Sequence, residues 1–275
     1  SQERTKPNTS AIDIPPPQGT DETVSALARG IGSLPQDLMD DHLHTHDFLL
    51  GGQPSLGDFG LMGPLYAHLF RDATAGFLLR TRHPLVAEWV ERCNGTNVEA
   101  RSYDQMLYSL DDAGQLVGRP ATSDGGQRLP DDQVPETLNA IVAVFFEEMW
   151  PMLKSTMERT AAYIASDAHQ PGGELPAKTF TPDFAWYQQQ TGNGPLTHEF
   201  EIGGITARRM VTPYHVYMLQ RLAGLLEDVS GTEAAREAVG SWLSGFPAGT
   251  ELLELSTRLQ PCRVHKVGAR LFSET

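Results

Sequence analysis

Cysteine is nearly missing from this chain: Cys93 and Cys262 are its whole complement in 275 residues. Two thiols cannot build a disulfide framework in a protein of this length, which excludes the disulfide-rich secreted class. The expected setting is a reducing one, either cytosol or an organelle matrix such as that of the mitochondrion. The sequons Asn8-Thr9-Ser10 and Asn94-Gly95-Thr96 then read as chance matches. Long apolar runs are missing too. The densest, Ile141 to Phe146, is ended by Glu147 and Glu148, far short of the roughly 20 residues that cross a bilayer. No membrane span is expected, and the chain reads as soluble and intracellular. Basic charge is scarce, with 21 Lys and Arg against 35 Asp and Glu and a formal net charge of -14. That balance repels a phosphate backbone, and Arg208-Arg209 does not extend into a basic stripe, so nucleic acid is excluded as a partner. No phosphate-binding loop or nucleophile elbow occurs. Gly30-Ile31-Gly32-Ser33-Leu34-Pro35 has proline where a dinucleotide loop needs its third glycine, and no strand precedes it.

What is there is ordinary globular material, 40% hydrophobic, enough for a sizeable core in one or two domains. The chain begins at Ser1, which fits initiator removal, a cleaved targeting peptide or a missing upstream portion alike. Residues 1–20 carry Pro7 and Pro15-Pro16-Pro17 among small polar residues, a composition for an extended arm or tether. From Asp21 to His46 the apolar residues Val24, Leu27, Ile31, Leu34, Leu38 and Leu43 recur at helical spacing. Gly30, Gly32 and Pro35 split that run into two short helices. Ser55 and Asp58 form an S-x-x-D capping box opening a helix to about Arg71. Pro84 opens another, through Trp89 to about Cys93.

Residues 96–133 are polar and turn-rich, a surface excursion with one helix expected around Tyr103 to Leu110. The pattern Leu138, Ile141, Val142, Phe145, Phe146, Met149, Leu153, Met157 predicts a long helix from Pro135 to about Ser166, bent at Pro151 because proline removes a backbone donor. Alternation around Phe200 and Ile202, the Gly203-Gly204 turn and the return through Val211 predict a β-hairpin over residues 198–211. Helices follow from Pro213 to about Val229, with Tyr214, Tyr217 and Met218 as candidate core residues, and from Thr232 to Phe246. The expected fold class is mainly α, a helical bundle over residues 21–95 and a further helical region over 134–275 containing one β-hairpin.

The residues with chemical potential are few. The stretch Asp40 to Phe48 reads DDHLHTHDF. His42 and His46 stand four apart, share a helix face and are the candidate metal ligands, but no second ligand pair stands at a recognisable spacing, so no metal is expected. Glu147 and Glu148 diverge by about 100 degrees on a helix, which suits a solvated edge better than an acid/base pair. Cys93 sits near a helix C-terminus, where the dipole disfavours a thiolate. Tyr214, His215 and Tyr217 fit core packing with a surface histidine. Val134-Pro135 fits a helix start better than a cis-proline loop, since no strands flank it. No catalytic residue and no cofactor are assigned.

The block Phe48-Leu49-Leu50-Gly51-Gly52-Gln53-Pro54-Ser55-Leu56-Gly57-Asp58-Phe59, continuing to Leu69, resembles the C-terminal helical domain of the glutathione S-transferase family. There a helix ends, an FLLG loop follows and a helix starts on a capping box, here Ser55 and Asp58. Pro84 to Val90 resembles the next helix of that domain. The pieces Val134 to Leu138, Trp150-Pro151 and Tyr214 through Arg221 are similar to the extended C-terminal region of bacterial-type homologues. The resemblance places DDHLHTHDF at the C-terminal turn of the preceding helix, its histidines in water and favourably placed against the dipole.

The resemblance also implies an N-terminal thioredoxin-like domain that grips glutathione, and a capping box at residue 55 leaves no room for one in this chain. The expected function is therefore a transferase-like protein without its glutathione-binding domain, a non-catalytic structural or interaction component of a larger assembly with protein partners. Glutathione is not expected to bind this chain alone. The alternative is the helical, co-substrate-binding part of an active glutathione transferase whose thioredoxin-like domain lies elsewhere.

Overall fold

The structure is a computed structural model that describes residues 34–95, 101, 104–130, 133–176 and 196–274. The proline-rich arm and the first helix expected within residues 21–46 lie outside the described residues. The chain forms two compact units, Ser1–Leu138 and Asn139–Thr275.

Among the described residues the first unit is built on four helices. α1 (Leu34–Leu43) packs on α4 (Pro84–Asn94), between which lie α2 (Leu56–Pro64) and α3 (Ala73–Arg82). Proline at the first turn of α4 wastes no donor there, and α4 supplies an apolar face, with Leu85, Val86, Trp89 and Val90 all buried, as are Leu43, Phe48 and Leu79. Asp72 caps α3 by accepting from the backbone of Thr74 and Ala75, both at 3.0 Å. α2 ends at Pro64 and runs on as a π-helical turn, Leu65–Phe70.

Between α4 and the next helix comes a hairpin, β1 (Gln105–Leu110) and β2 (Leu116–Ala121), antiparallel with Gln105 opposite Ala121. A helix was expected over residues 103–110. The Asp111-Asp112-Ala113-Gly114 turn decides for strands: Gly114 has φ +74, and Asp111 accepts from the Gln115 backbone at 2.8 Å, closing a chain reversal just where a helix would have had to continue. The strands are largely exposed, but the residues flanking them reach into the unit's interior, Arg101 before the hairpin and Ala121 at its end.

α5 (Glu136–Val144) carries the boundary between the units. It passes through a π-helical turn, Phe145–Met149, into α6 (Trp150–Ile164). The expected disturbance at Pro151 takes this form: Trp150 N–H reaches back to Phe145 O, a wider turn, immediately before the residue that has no N–H to donate. In the second unit follow β3 (Thr197–Ile202) and β4 (Ile205–Met210), joined by Gly203 and Gly204 at φ +57 and +78, the left-handed pair a two-residue hairpin turn requires. α7 (Pro213–Val229) and α8 (Glu233–Leu243) come next, α8 capped by Thr232, whose hydroxyl accepts from Ala235 N at 3.2 Å. The chain closes with a 3-10 turn, the short α9 (Leu255–Leu259) and a hairpin of β5 (Val264–Val267) and β6 (Arg270–Ser273).

The described residues thus hold three hairpins, two of them in the region expected to contain one. The core of the second unit is drawn from Phe146, Trp150, Leu153 and Met157 of the long helix with Val216, Leu219, Leu255 and Leu259. This corrects the expected face of α7. Tyr214 and Met218 are 44% and 42% exposed, because the helix turns the line Pro213, Val216, Leu219, Ala223 inward and leaves them on its outer side.

Candidate functional site

Ser55 and Asp58 form a hydrogen-bonded centre rather than a simple helix cap. Asp58 is fully buried. Its Oδ2 accepts from Ser55 N at 2.7 Å and from the Ser55 hydroxyl at 2.6 Å, while Ser55 Oγ accepts from Asp58 N at 3.4 Å. Its Oδ1 accepts from Leu49 N at 3.0 Å and from Trp89 Nε1 at 3.0 Å. One carboxyl therefore ties the FLLG loop, the start of α2 and the centre of α4 together. The loop itself is pinned from outside: Gly52 N donates to Gln127 O at 2.6 Å and Leu129 N to Leu50 O at 3.2 Å. Gly51 has φ +98, and a Cβ there would stand 2.8 Å from Leu129 N, so the two glycines are what let residues 126–129 lie against the loop.

The histidines of DDHLHTHDF are not in water as expected. His42 is 0% exposed. Its Nε2–H donates to Phe48 O at 3.1 Å, so Nδ1 accepts from the Thr137 hydroxyl at 2.7 Å. Both ring nitrogens are engaged, and burial pushes the pKa below its ordinary value. The reason lies in the segment after β2, which folds back over the end of α1. His44 Nδ1 donates to Pro120 O at 2.9 Å, and His46 Nδ1 lies 3.3 Å from Asp124 Oδ1. Among the described residues no group of three or more His, Cys, Asp or Glu side chains is arranged to hold a metal ion.

Two buried acids that sequence reasoning passed over organise this region. Asp47 is fully buried and pairs with Arg101, Nε to Oδ1 at 3.2 Å, with side chains 0% and 1% exposed. Its Oδ2 accepts from the Ser123 hydroxyl at 3.0 Å and Asp124 N at 3.1 Å, and Arg101 also donates to the carbonyls of Leu43 and Thr122. Asp40 accepts from Leu85 N at 3.1 Å, capping α4 from a neighbouring helix, since His83 at the N-cap position makes no side-chain cap. Burial pushes the Asp40 carboxyl up to about 6. The only sequence signal for these roles was acidic residues flanking a helix end, a pattern shared with solvated surfaces.

The remaining candidates are dispersed. Cys93 is buried and its thiol is pushed up to about 12 by that burial, so it offers no thiolate at neutral pH. Glu147 and Glu148 lie on the π-helical turn, 147 exposed and 148 half-buried. Val134 is exposed and Pro135 accepts from Leu138 N at 3.0 Å as a helix start. His215 and Tyr217 lie on α7 in the second unit. A pairing that sequence did not suggest joins Ser155 of α6 to His198 of β3 at 2.9 Å.

Outside these centres α2 and α3 of the first unit expose large apolar side chains. Leu56 is 81% exposed, Phe77 62%, and Phe59 and Leu78 43% each. From Phe59 to Phe70 the sequence holds no Asp, Glu, Lys or Arg.

The family described as glutathione S-transferase, C-terminal domain, matches residues 21–92. No curated protein and no solved structure matches the chain. The matched stretch takes in the loop, the capping box and most of the α4 helix just described, so this part of the chain is similar to a glutathione S-transferase C-terminal domain.

Proposed function

We propose that this chain works by binding other proteins through its transferase-type helical domain and carries out no glutathione chemistry of its own. The observation that carries the reading is how the acids and bases of the domain are used. Asp40, His42, Asp47, Asp58 and Arg101 are all turned inward onto backbone and side-chain partners, and Cys93 is held as a buried thiol. General acid/base or nucleophilic catalysis needs such groups facing a substrate. What faces outward on α2 and α3 includes the large apolar side chains Leu56, Phe59, Phe77 and Leu78, the kind of surface that marks contact with another macromolecule.

The same patch supports a second reading, in which it meets a thioredoxin-like domain and forms the co-substrate side of an active transferase. The two separate experimentally. Calorimetric titration of the chain with millimolar glutathione should give no saturable heat, and a conjugation assay should match buffer. A dissociation constant in the micromolar range would overturn the non-catalytic reading. Leu56→Glu with Phe77→Glu should detach the chain from the assembly it elutes with in native extract while leaving its melting temperature within a few degrees. A chain that runs as a free monomer with or without these substitutions would overturn the assembly reading.

A further inference from the structure

α7 is apolar on two sides. Its line Pro213, Val216, Leu219, Ala223 is buried in the second unit. The opposite side carries Tyr214, Met218, Leu225 and Val229, 44%, 42%, 56% and 58% exposed, with half-buried Leu222 beside them. Their spacing along the chain keeps these side chains on one helical face. The stripe runs about 22 Å, at about 1.5 Å per residue. A surface helix ordinarily turns polar residues outward, and a helix apolar on both sides is one with a second neighbour to meet.

The order of residues along the stripe identifies that neighbour. Tyr214 and Val229 stand equally far from the midpoint between Arg221 and Leu222, and so do Met218 and Leu225. A second α7 laid antiparallel across that midpoint sets Tyr214 against Val229 and Met218 against Leu225, both ways round, as an isologous contact requires. The charges follow the same order. Lys266 of β5 lies over the rings of Tyr214 and Tyr217, 5.6 and 6.0 Å from their centroids, at one end of the stripe. Asp228 is exposed at the other end, on the flank that Tyr217 occupies. Among the described residues neither Lys266 nor Asp228 forms an ion pair within the chain. A two-fold axis joins like flanks, so Asp228 of each copy arrives beside Lys266 of the other. The two Arg221 side chains meet near the axis, and their length lets each turn away from the other, toward Asp228 of the opposite copy.

We propose that α7 pairs antiparallel with α7 of a second copy of this chain, through Tyr214, Met218, Leu222, Leu225 and Val229. One helix pair buries less than about 1,200 Å², so the dimer is reversible. Sedimentation velocity of the full chain from about 1 to 200 µM, in about 150 mM sodium chloride to screen the net charge of -14, should show monomer giving way to dimer. Met218→Glu with Leu225→Glu should raise the dissociation constant about tenfold or more and leave the circular dichroism spectrum unchanged, since both side chains are exposed. Asp228→Lys and Lys266→Glu should each weaken the dimer and together restore it, a recovery that non-specific apolar association does not show. Oxidation should link Leu222→Cys chains, which are adjacent across the axis. Val229→Cys chains should stay unlinked, because those positions lie about 22 Å apart and a disulfide needs Cα atoms within about 7 Å. Cys93 and Cys262 are buried and take no part. Should the two glutamates change the spectrum, the charge swap and the cysteine variants supply the same readout. A monomer throughout that range, a dimer that both glutamates leave intact, a charge swap that restores nothing, or Val229→Cys linking as readily as Leu222→Cys would overturn the proposal.

Discussion

A carboxyl group buried among apolar side chains is destabilising unless the positions its oxygens offer are filled by donors, and Asp58 meets that condition with two donors on each oxygen. Removing it strands several donors at once, each at about 1–3 kcal/mol, so Asp58→Ala should cost on the order of 3 kcal/mol or more. Ser55→Ala should cost about 1 kcal/mol. The double variant should cost less than the sum, since both side chains serve one helix start. Urea denaturation of the three variants measures this, and strict additivity would separate the two residues. Asp40 behaves differently, because burial outweighs the helix-capping bonds and its carboxyl is raised to about 6. A raised folded-state pKa means that the native protein holds the proton more tightly than the unfolded chain. The stabilisation is complete below about pH 4 and is lost as pH rises through 6. Asp40→Asn keeps an acceptor for Leu85 N and cannot ionise. Relative to the parent it should therefore gain on the order of 2–3 kcal/mol between pH 4 and 7, at about 1.4 kcal/mol per pKa unit over roughly two units. A variant whose relative stability is flat across that range would show that Asp40 ionises freely.

Elements were legible in the sequence where the signal is local and hidden where it comes from elsewhere in the chain. The capping box, the proline opening α4, the Gly203-Gly204 hairpin and Thr232 at the head of α8 each involve residues within a few positions of one another, and each stands where local chemistry puts it. The strand over residues 105–110 was read as helix because six residues of mixed character fit either period, and the turn at Gly114 arbitrates only once the return strand is recognised. The burial of His42 was invisible for a different reason. Its partner Thr137 lies 95 residues away, and the covering segment comes from beyond the hairpin. The same distance effect hid the Arg101–Asp47 pair, which reads from sequence as two unrelated surface charges. The FLLG loop can be tested at this scale. Gly51→Ala places a Cβ against the backbone of Leu129 and at a positive φ, so it should cost about 2 kcal/mol or more. Hydrogen exchange should show the Gly52 and Leu129 amides losing protection first, while those of α4 keep theirs. Loss of protection across α4 at the same rate would mean that the loop is no independent clamp.

Over the whole molecule, charge is distributed in two regimes. Ion pairs that organise the fold are few and buried, Asp47 with Arg101 foremost, and salt does not reach them. The surface carries the excess of 35 acidic over 21 basic residues, and that excess opposes compaction through self-repulsion. Several exposed pairs relieve it locally, such as Arg82 with Asp112 and Arg119 with Asp41, each at 2.6 Å, but exposed pairs contribute about 0–1 kcal/mol apiece. Self-repulsion should therefore dominate the response to salt. Raising sodium chloride from about 10 to 150 mM, which shortens the screening length from about 30 to 8 Å, should raise the melting temperature by a few degrees. Asp47→Asn should lower the melting temperature at both salt concentrations by a similar amount, because the buried pair it breaks is not screened. The same acidity bears on partners: a binding surface on this chain has to work through exposed apolar side chains, such as those of α2 and α3, or through basic partners, since acidic ones are repelled at long range. A melting temperature that falls with salt would mean that surface attractions outweigh the net charge, and the expectation about partners would fall with it.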